Sequence, residues 1–176
     1  MHLTTPRLHL RGMRVADAPF VLALVNDPAF ILNIGDRHIR TLDAAQRYIE
    51  SGPWTKDGGP GVGLRLVQRR GTGEAIGICG LLKRESLDAP DIGFAFMPAH
   101  RSQGFAFEAA SAVLADARAR FGYERILAIV SPGNAASIRL LGRLGLRRER
   151  TTKLSEGSAA VDVYAVRSDT IPPPSC

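Results

Sequence analysis

The stretch Asp91-Ile-Gly-Phe-Ala-Phe-Met-Pro-Ala-His-Arg-Ser-Gln-Gly-Phe-Ala-Phe-Glu-Ala constrains the fold of this chain more than any other. It reads as a strand from Asp91 to Met97 that Pro98 ends, then a short basic loop, then Gly104 opening a long alanine-rich helix. A junction of this kind gathers unpaired backbone N–H groups and the positive end of a helix dipole, which together suit a phosphate. The spacing Arg101-x-x-Gly104-x-Ala106 keeps bulky side chains away from those amides, so that a pyrophosphate can approach them.

The remaining chain sets the context for that junction. At 176 residues it fits one domain, expected over 1–168, followed by a Pro-rich tail at 169–176 that is expected to be unfolded. A chain of this length buries roughly 70% of its unfolded surface and needs no disulfide staples. Cys79 falls in an expected core strand and Cys176 is the last residue, which is no disulfide framework. No apolar run approaches the roughly 20 residues that span a bilayer. The segment Met1 to Arg7 lacks the pattern of an export signal. The expectation is a soluble cytoplasmic protein. A net charge of +6 favours an acidic partner, but the basic residues are scattered and aromatics make up only 6%, so a nucleic-acid face is not expected.

Periodicity places the other elements. Leu8, Leu10 and Met13 alternate with polar residues in a first strand near Arg7–Met13. Phe20, Val21, Leu24 and Val25 lie at helical spacing over Asp17–Val25, and Asn26-Asp27-Pro28 ends that helix. Thr41 caps a second helix that runs to Ser51. Phe30–Arg40 between them has no clear period and reads as a loop or short helical turn. Trp54–Gly63 contains Gly58-Gly59-Pro60-Gly61-Val62-Gly63, which resembles a nucleotide fingerprint but leads into a strand, so it is a loop. Strands follow at Val62–Arg69 and Ala75–Arg84. After Asp91–Met97 come the helix from Gly104 to Phe121, a strand at Arg125–Val130, a helix at Asn134–Leu144, and strands near Leu146–Leu154 and Ala160–Val166.

With this order in place, the chain resembles the GCN5-related N-acetyltransferase (GNAT) family, and within it the branch that includes ribosomal-protein alanine acetyltransferases. Three segments carry the likeness: Leu3-Thr4-Thr5-Pro6-Arg7-Leu8-His9-Leu10-Arg11, Ile92 to Ala109 with its Arg101-x-x-Gly104-x-Ala106 turn, and Asn134-Ala135-Ala136-Ser137 followed by Leu144-Gly145-Leu146. The resemblance implies an α+β fold with a mixed, mostly antiparallel sheet of about seven strands flanked by about four helices. It also implies a splay between the strands near 91–97 and 125–130. The implied ligand is acetyl-CoA, and no metal is expected. The amides of Ser102, Gln103, Gly104, Phe105 and Ala106 would take the pyrophosphate, with charge from Arg101. The backbone at Phe96 and Met97 would pair with the pantetheine arm as an added strand does, and the Asn134 side chain would bond the same arm.

The implied reaction is direct attack of a primary amine on the thioester, the amine belonging to a protein N-terminus or a small molecule. That chemistry needs a route for the amine proton, a donor to the oxyanion and a group for the leaving thiolate. By resemblance, the backbone N–H at Met97 serves the oxyanion. Many relatives carry a tyrosine where this chain has Leu141, whereas the ribosomal-protein branch carries a serine where it has Ser137, so Ser137 is assigned to the sulfur. By resemblance, Glu156 is the first candidate base; Asp91 is a second, and a water chain without a single essential base is a third route. The same residues also admit plainer readings: Asn134 as a helix cap, Arg101 as a solvated charge, and Glu156 within a hairpin turn. The alternative function is a catalytically weak, CoA-binding regulatory or interaction module on the same scaffold. Acceptor specificity is expected in Phe30–Arg40, Trp54–Gly63 and Leu154–Ala159. Both a monomer and a homodimer fit the sequence.

Overall fold

The structure, a computed structural model, describes residues 2–54 and 59–167. The expected tail at 169–176, with Cys176, lies outside the described residues. One sheet holds eight strands: β1 (Leu3–Thr4), β2 (Leu8–Arg11), β3 (Gly63–Arg69), β4 (Ala75–Leu82), β5 (Asp91–Phe96), β6 (Arg125–Val130), β7 (Arg147–Lys153) and β8 (Ala160–Arg167). Their spatial order is β1-β2-β3-β4-β5-β6-β8-β7. Every neighbouring pair is antiparallel except β5 with β6. Parallel neighbours need a long crossover, and α4 (Phe105–Phe121) supplies it.

The remaining helices are α1 (Ala18–Val25), α2 (Pro28–Ile34), α3 (Leu42–Ser51) and α5 (Ala135–Arg143). The architecture is the expected mixed one, with one strand and one helix beyond the expected counts. The extra strand, Leu3–Thr4, pairs Leu3 with Leu10 and is too short to alternate visibly. The extra helix is α2. Asn26-Asp27-Pro28 does stop α1, but the same residues start α2: the Asp27 side chain accepts the Phe30 N–H at 3.1 Å, and Pro28 occupies the first turn, where a missing N–H costs nothing.

The two largest of three apolar clusters pack against the sheet. Leu8, Leu10, Ile76, Phe96, Val113, Ile126 and Val130 belong to the larger one, which buries α4 and the inner face of α5. Val21, Leu24, Ala45, Ile49 and Trp54 form the second, against Leu64 and Ile78. Cys79 is fully buried, and burial pushes its thiol up to about 12, so it is no nucleophile at neutral pH. Among the described residues no single helix is long and apolar enough to cross a membrane.

The N-terminal hairpin is sewn to α4 by one carboxylate. Glu108 accepts from the Thr5 hydroxyl (2.6 Å), the Arg7 amide (2.9 Å) and the Arg7 Nε (2.6 Å). Burial opposes its ionisation, but the bonds from Thr5 and Arg7 and the Arg7 charge outweigh it and hold the carboxyl below its usual range. A lowered carboxylate pKa contributes stability above the unfolded value, near 4.3, and loses it as pH falls through the folded value. Glu108→Ala should therefore cost about 2 kcal/mol at pH 7, with the gap from the unsubstituted protein closing in melts below pH 4. An equal gap at both pH values would contradict the assignment.

Candidate functional site

The β5–β6 ladder contains a single register pair, Asp91 with Leu127, below which the Leu127 N–H donates to the Pro90 carbonyl at 2.9 Å. Beyond that pair the two strands part. The cleft between them continues under α2 and α3 and measures about 1730 Å³. Single drug-sized ligands occupy roughly 300–1,000 Å³, so this space suits an extended ligand together with a second molecule.

Backbone alternation decides which groups of β5 face the gap. The Met97 N–H donates to the Ile76 carbonyl at 2.9 Å, closing the β4 side of the strand, and the Met97 side chain packs among α1 and α3. The expected oxyanion donor is therefore already engaged. Period-two alternation turns the backbone groups of Phe94 and Phe96 toward the gap instead. Of these, the Phe96 carbonyl accepts Arg101 Nε at 2.9 Å.

The loop after β5 is held in an unusual conformation. Ser102 has φ 61° and Gly104 φ 82°, both left-handed, and Gly104 is the residue that caps α4. Phe105 is buried beneath the loop, with the Arg7 guanidinium 4.5 Å from its ring centroid. Arg7 also donates to the Gln103 carbonyl at 3.1 Å. The loop is thus fixed from behind and presents its front to the cleft, where Ser102, Gly104 and Ala106 form part of the lining. Gln103 and Phe105 are not among the lining residues, and the Gln103 side chain bonds the Ala99 carbonyl at 2.7 Å.

Arg101 also lines the cleft, but its guanidinium pairs directly with the Asp27 carboxylate. The charge expected at the pyrophosphate is neutralised there. Arg101 ties the start of α2 to the end of β5, a contact 74 residues apart in sequence.

Across the gap, Asn134 caps α5 by accepting the Ser137 N–H at 3.1 Å on Oδ1, so the plain capping role is real. Its amide nitrogen remains a donor, and Asn134 and Ser137 both line the cleft. Arg139 and Arg143, four residues apart on α5, line it as well, and Arg143 lies 4.6 Å from the centroid of Phe107. Among the described residues neither has a carboxylate partner, although most other arginines do. Like charges at this spacing repel, so the pair suits a bound anion.

The two carboxylate candidates separate. Glu156 lies exposed in the turn between β7 and β8, and it is not among the lining residues, although Leu154, Ser155 and Ser158 beside it are. Asp91 is 1% exposed, lines the cleft and accepts from Arg84 Nε at 2.9 Å. Burial raises its pKa, with the Arg84 charge and hydrogen bond opposing. A carboxyl shifted in that direction is a better proton acceptor near neutral pH.

Sequence reading missed Arg7, Phe107, Arg139, Arg143 and the Asp27 pairing. Only the Arg139–Arg143 spacing carried a signal, two cations on one face of a helix beside the motif asparagine.

Comparison with known proteins adds the following. Residues 7–147 match the family described as acetyltransferase (GNAT) domain. The Bacillus subtilis uncharacterized N-acetyltransferase YoaA is 30% identical over 149 residues, covering 84% of this chain and 83% of that protein. YkkB of the same organism, an uncharacterized protein, is 30% identical over 156 residues, covering 86% and 88%. In structure, a GNAT-family acetyltransferase from Bacillus anthracis superposes with TM-score 0.79 at 22% identity, covering 96% of this chain and 99% of that one. The ribosomal L7/L12 alpha-N-protein acetyltransferase RimL, solved with coenzyme A, gives TM-score 0.76 at 16% identity, covering 97% and 99%.

Proposed function

Because this chain belongs to the GNAT acetyltransferase family, we propose that it is an acetyl-CoA-dependent N-acetyltransferase acting on a primary amine, borne by a protein N-terminus or a small molecule. The observation that carries this reading is the splayed β5–β6 pair opening directly onto the left-handed Gly104 turn. The residues fit the ligand: Ser102, Gly104 and Ala106 of the left-handed turn line the cleft, as do Arg139 and Arg143, which have no carboxylate partner among the described residues.

Acetyl-CoA supplies an acetyl thioester, whose carbon bonds to the amine nitrogen as its bond to sulfur breaks. The amides of Ser102, Gly104 and Ala106, the residues of the turn that line the cleft, hold the pyrophosphate at the head of α4. Arg139 and Arg143, with the Phe107 ring, suit the phosphorylated nucleoside end. The backbone of Phe94 and Phe96 pairs with the pantetheine arm, and the N–H groups facing the gap, rather than that of Met97, receive the charge developing on oxygen. Asn134 donates its amide nitrogen to the arm. Ser137 offers its hydroxyl to the sulfur, and Asp91 accepts the amine proton, directly or through water.

CoA at roughly 100 times its Kd should raise Tm by about 5–10 °C, since binding to the native state alone stabilises it. Arg143→Gln should weaken CoA roughly tenfold yet leave 3′-dephospho-CoA little changed, as calorimetry would record. Thiol release should then be screened against N-terminal peptides, amino acids, polyamines and aminoglycosides. Absence of both CoA binding and thiol release would defeat the reading. Binding without release would leave a regulatory module.

A further inference from the structure

The part of the cleft beyond the β5–β6 gap is walled by α2, the loop after it and the end of α3, and the charges of the described residues that line it do not balance. Arg84 is committed to Asp91. That leaves Arg37 and Lys83 facing Glu85 among the charged residues lining this part. No carboxylate pairs with Arg37 or Lys83 among the described residues. The nearest acid in sequence, Asp36, is occupied: its bonds from the Arg40 side chain (2.6 Å) and the His38 amide (2.8 Å) hold its carboxyl down to about 2.

The position of Arg37 is built into the fold. Gly35 (φ 112°) and His38 (φ 54°) turn the backbone on either side of it. The Gly35 N–H closes α2, and the Asn26 side chain ties the loop to α1 by donating to the Ile39 and Leu22 carbonyls, each at 2.7 Å. Ile39 is buried and anchors the loop, from which Arg37 lines the cleft in an exposed position.

Tyr48 stands beside this guanidinium, close enough for its charge to act on the phenol. Burial raises the Tyr48 pKa despite that charge, so its hydroxyl stays a donor throughout the neutral range. The ring is fixed edge-on to Trp54 at 5.5 Å, and the Trp54 Nε1 donates to the Tyr48 carbonyl at 3.0 Å. Gly52 permits that approach, because a Cβ there would meet Tyr48 O at 2.3 Å. Both Arg37 and Tyr48 line the cleft, and neither the Arg37 guanidinium nor the Tyr48 hydroxyl is hydrogen-bonded to a protein group among the described residues.

We infer that the acceptor is an amine that also carries a carboxylate, held by Arg37 with the Tyr48 hydroxyl and drawn in by Lys83. A planar guanidinium beside a fixed hydroxyl matches a carboxylate's two oxygens, and an unpaired cation in a cleft raises the local concentration of anions. A polyamine or an aminoglycoside would meet repulsion at the same place. The inference rests on the acetyltransferase reading and names the acceptor class for that site.

The test uses acceptor pairs that differ only in a carboxylate. Thiol release from acetyl-CoA is measured for free amino acids against their amides, and for dipeptides with Asp against Asn at the second position. The carboxylate member of at least one pair should have a kcat/KM roughly tenfold higher, mainly through KM, and in Arg37→Gln that ratio should fall close to one. Arg37→Lys should keep part of it. Preference in the free pair assigns a small acceptor, and preference in the dipeptide pair assigns a peptide. Equal rates within both pairs, or a ratio that survives Arg37→Gln, overturn the inference. The CoA-induced rise in Tm is recorded on every variant as the check of folding. A rise without carboxylate preference defeats the acceptor class alone, whereas no rise in the unsubstituted protein defeats the reading beneath it.

Discussion

Gly104→Leu should yield a folded protein whose Tm no longer responds to CoA. Gly104 has φ 82°, a region that costs an L-residue roughly 1–2 kcal/mol, so Tm itself should fall by a few degrees. The larger effect concerns the ligand. The amides of this turn suit a phosphate only in its left-handed conformation, and a leucine, strained there and pushed against Arg7, would shift the turn. A Cβ alone would meet Arg7 Nη2 at 3.2 Å, the far end of a flexible side chain that can give way. Gly104→Ala should therefore share the loss of Tm but keep part of the CoA shift. Loss of two or more charge-assisted bonds to the pyrophosphate corresponds to a weakening of at least about 100-fold, enough to erase the shift at ordinary CoA concentrations. A full CoA shift in Gly104→Leu would place the pyrophosphate elsewhere.

Asp91→Asn should lower kcat by roughly 100-fold or more while leaving the CoA-induced Tm shift in place, because the substitution removes a proton acceptor and preserves shape. The pH dependence follows from the direction of the Asp91 shift. Burial raises its folded pKa, so the native state binds the proton more tightly than the unfolded chain does. The stability this contributes is fully present below the ordinary carboxylate value and is lost as pH rises through the raised value. Melts of the unsubstituted protein and the Asn variant should therefore shift in favour of Asp91 as pH falls from neutral. For turnover the sign reverses: the carboxylate must be ionised to accept a proton, so kcat/KM falls on the acid side of the raised pKa. That limb should disappear in the Asn variant. An unchanged kcat would remove Asp91 from the proton path and leave water to carry it.

Much of the site could be read from local sequence, and the reason is physical. Gly104, Asn134 and Ser137 act through backbone geometry and helix caps, which depend on neighbours a few residues away. The helix and strand boundaries were recoverable for the same reason. For α2 the sequence offers only a choice between a loop and a short helical turn, because Asn26-Asp27-Pro28 is at once a stop and a start and a seven-residue helix shows too little periodicity to decide.

Other assignments depended on pairing between distant segments. The Met97 amide was expected to face the ligand, but strand register with β4 spends it on Ile76. Arg101 had the right charge in the right loop, yet Asp27 neutralises it. Sequence favours Glu156 over Asp91 as the base, whereas the fold puts Glu156 in an exposed turn and Asp91 in the cleft lining, with Arg84 against it.

By itself, then, the sequence determined the order of most elements, the glycine turn before α4 and the family resemblance, because each is encoded over short spans by propensity, capping and the absence of a side chain at Gly104. The tertiary structure alone decided how the junction from Asp91 to Ala109 is used. Burial, sheet register and ion pairing arise between residues far apart in the chain. They select which amides remain open, which carboxylate is desolvated and which arginines are left for an anion.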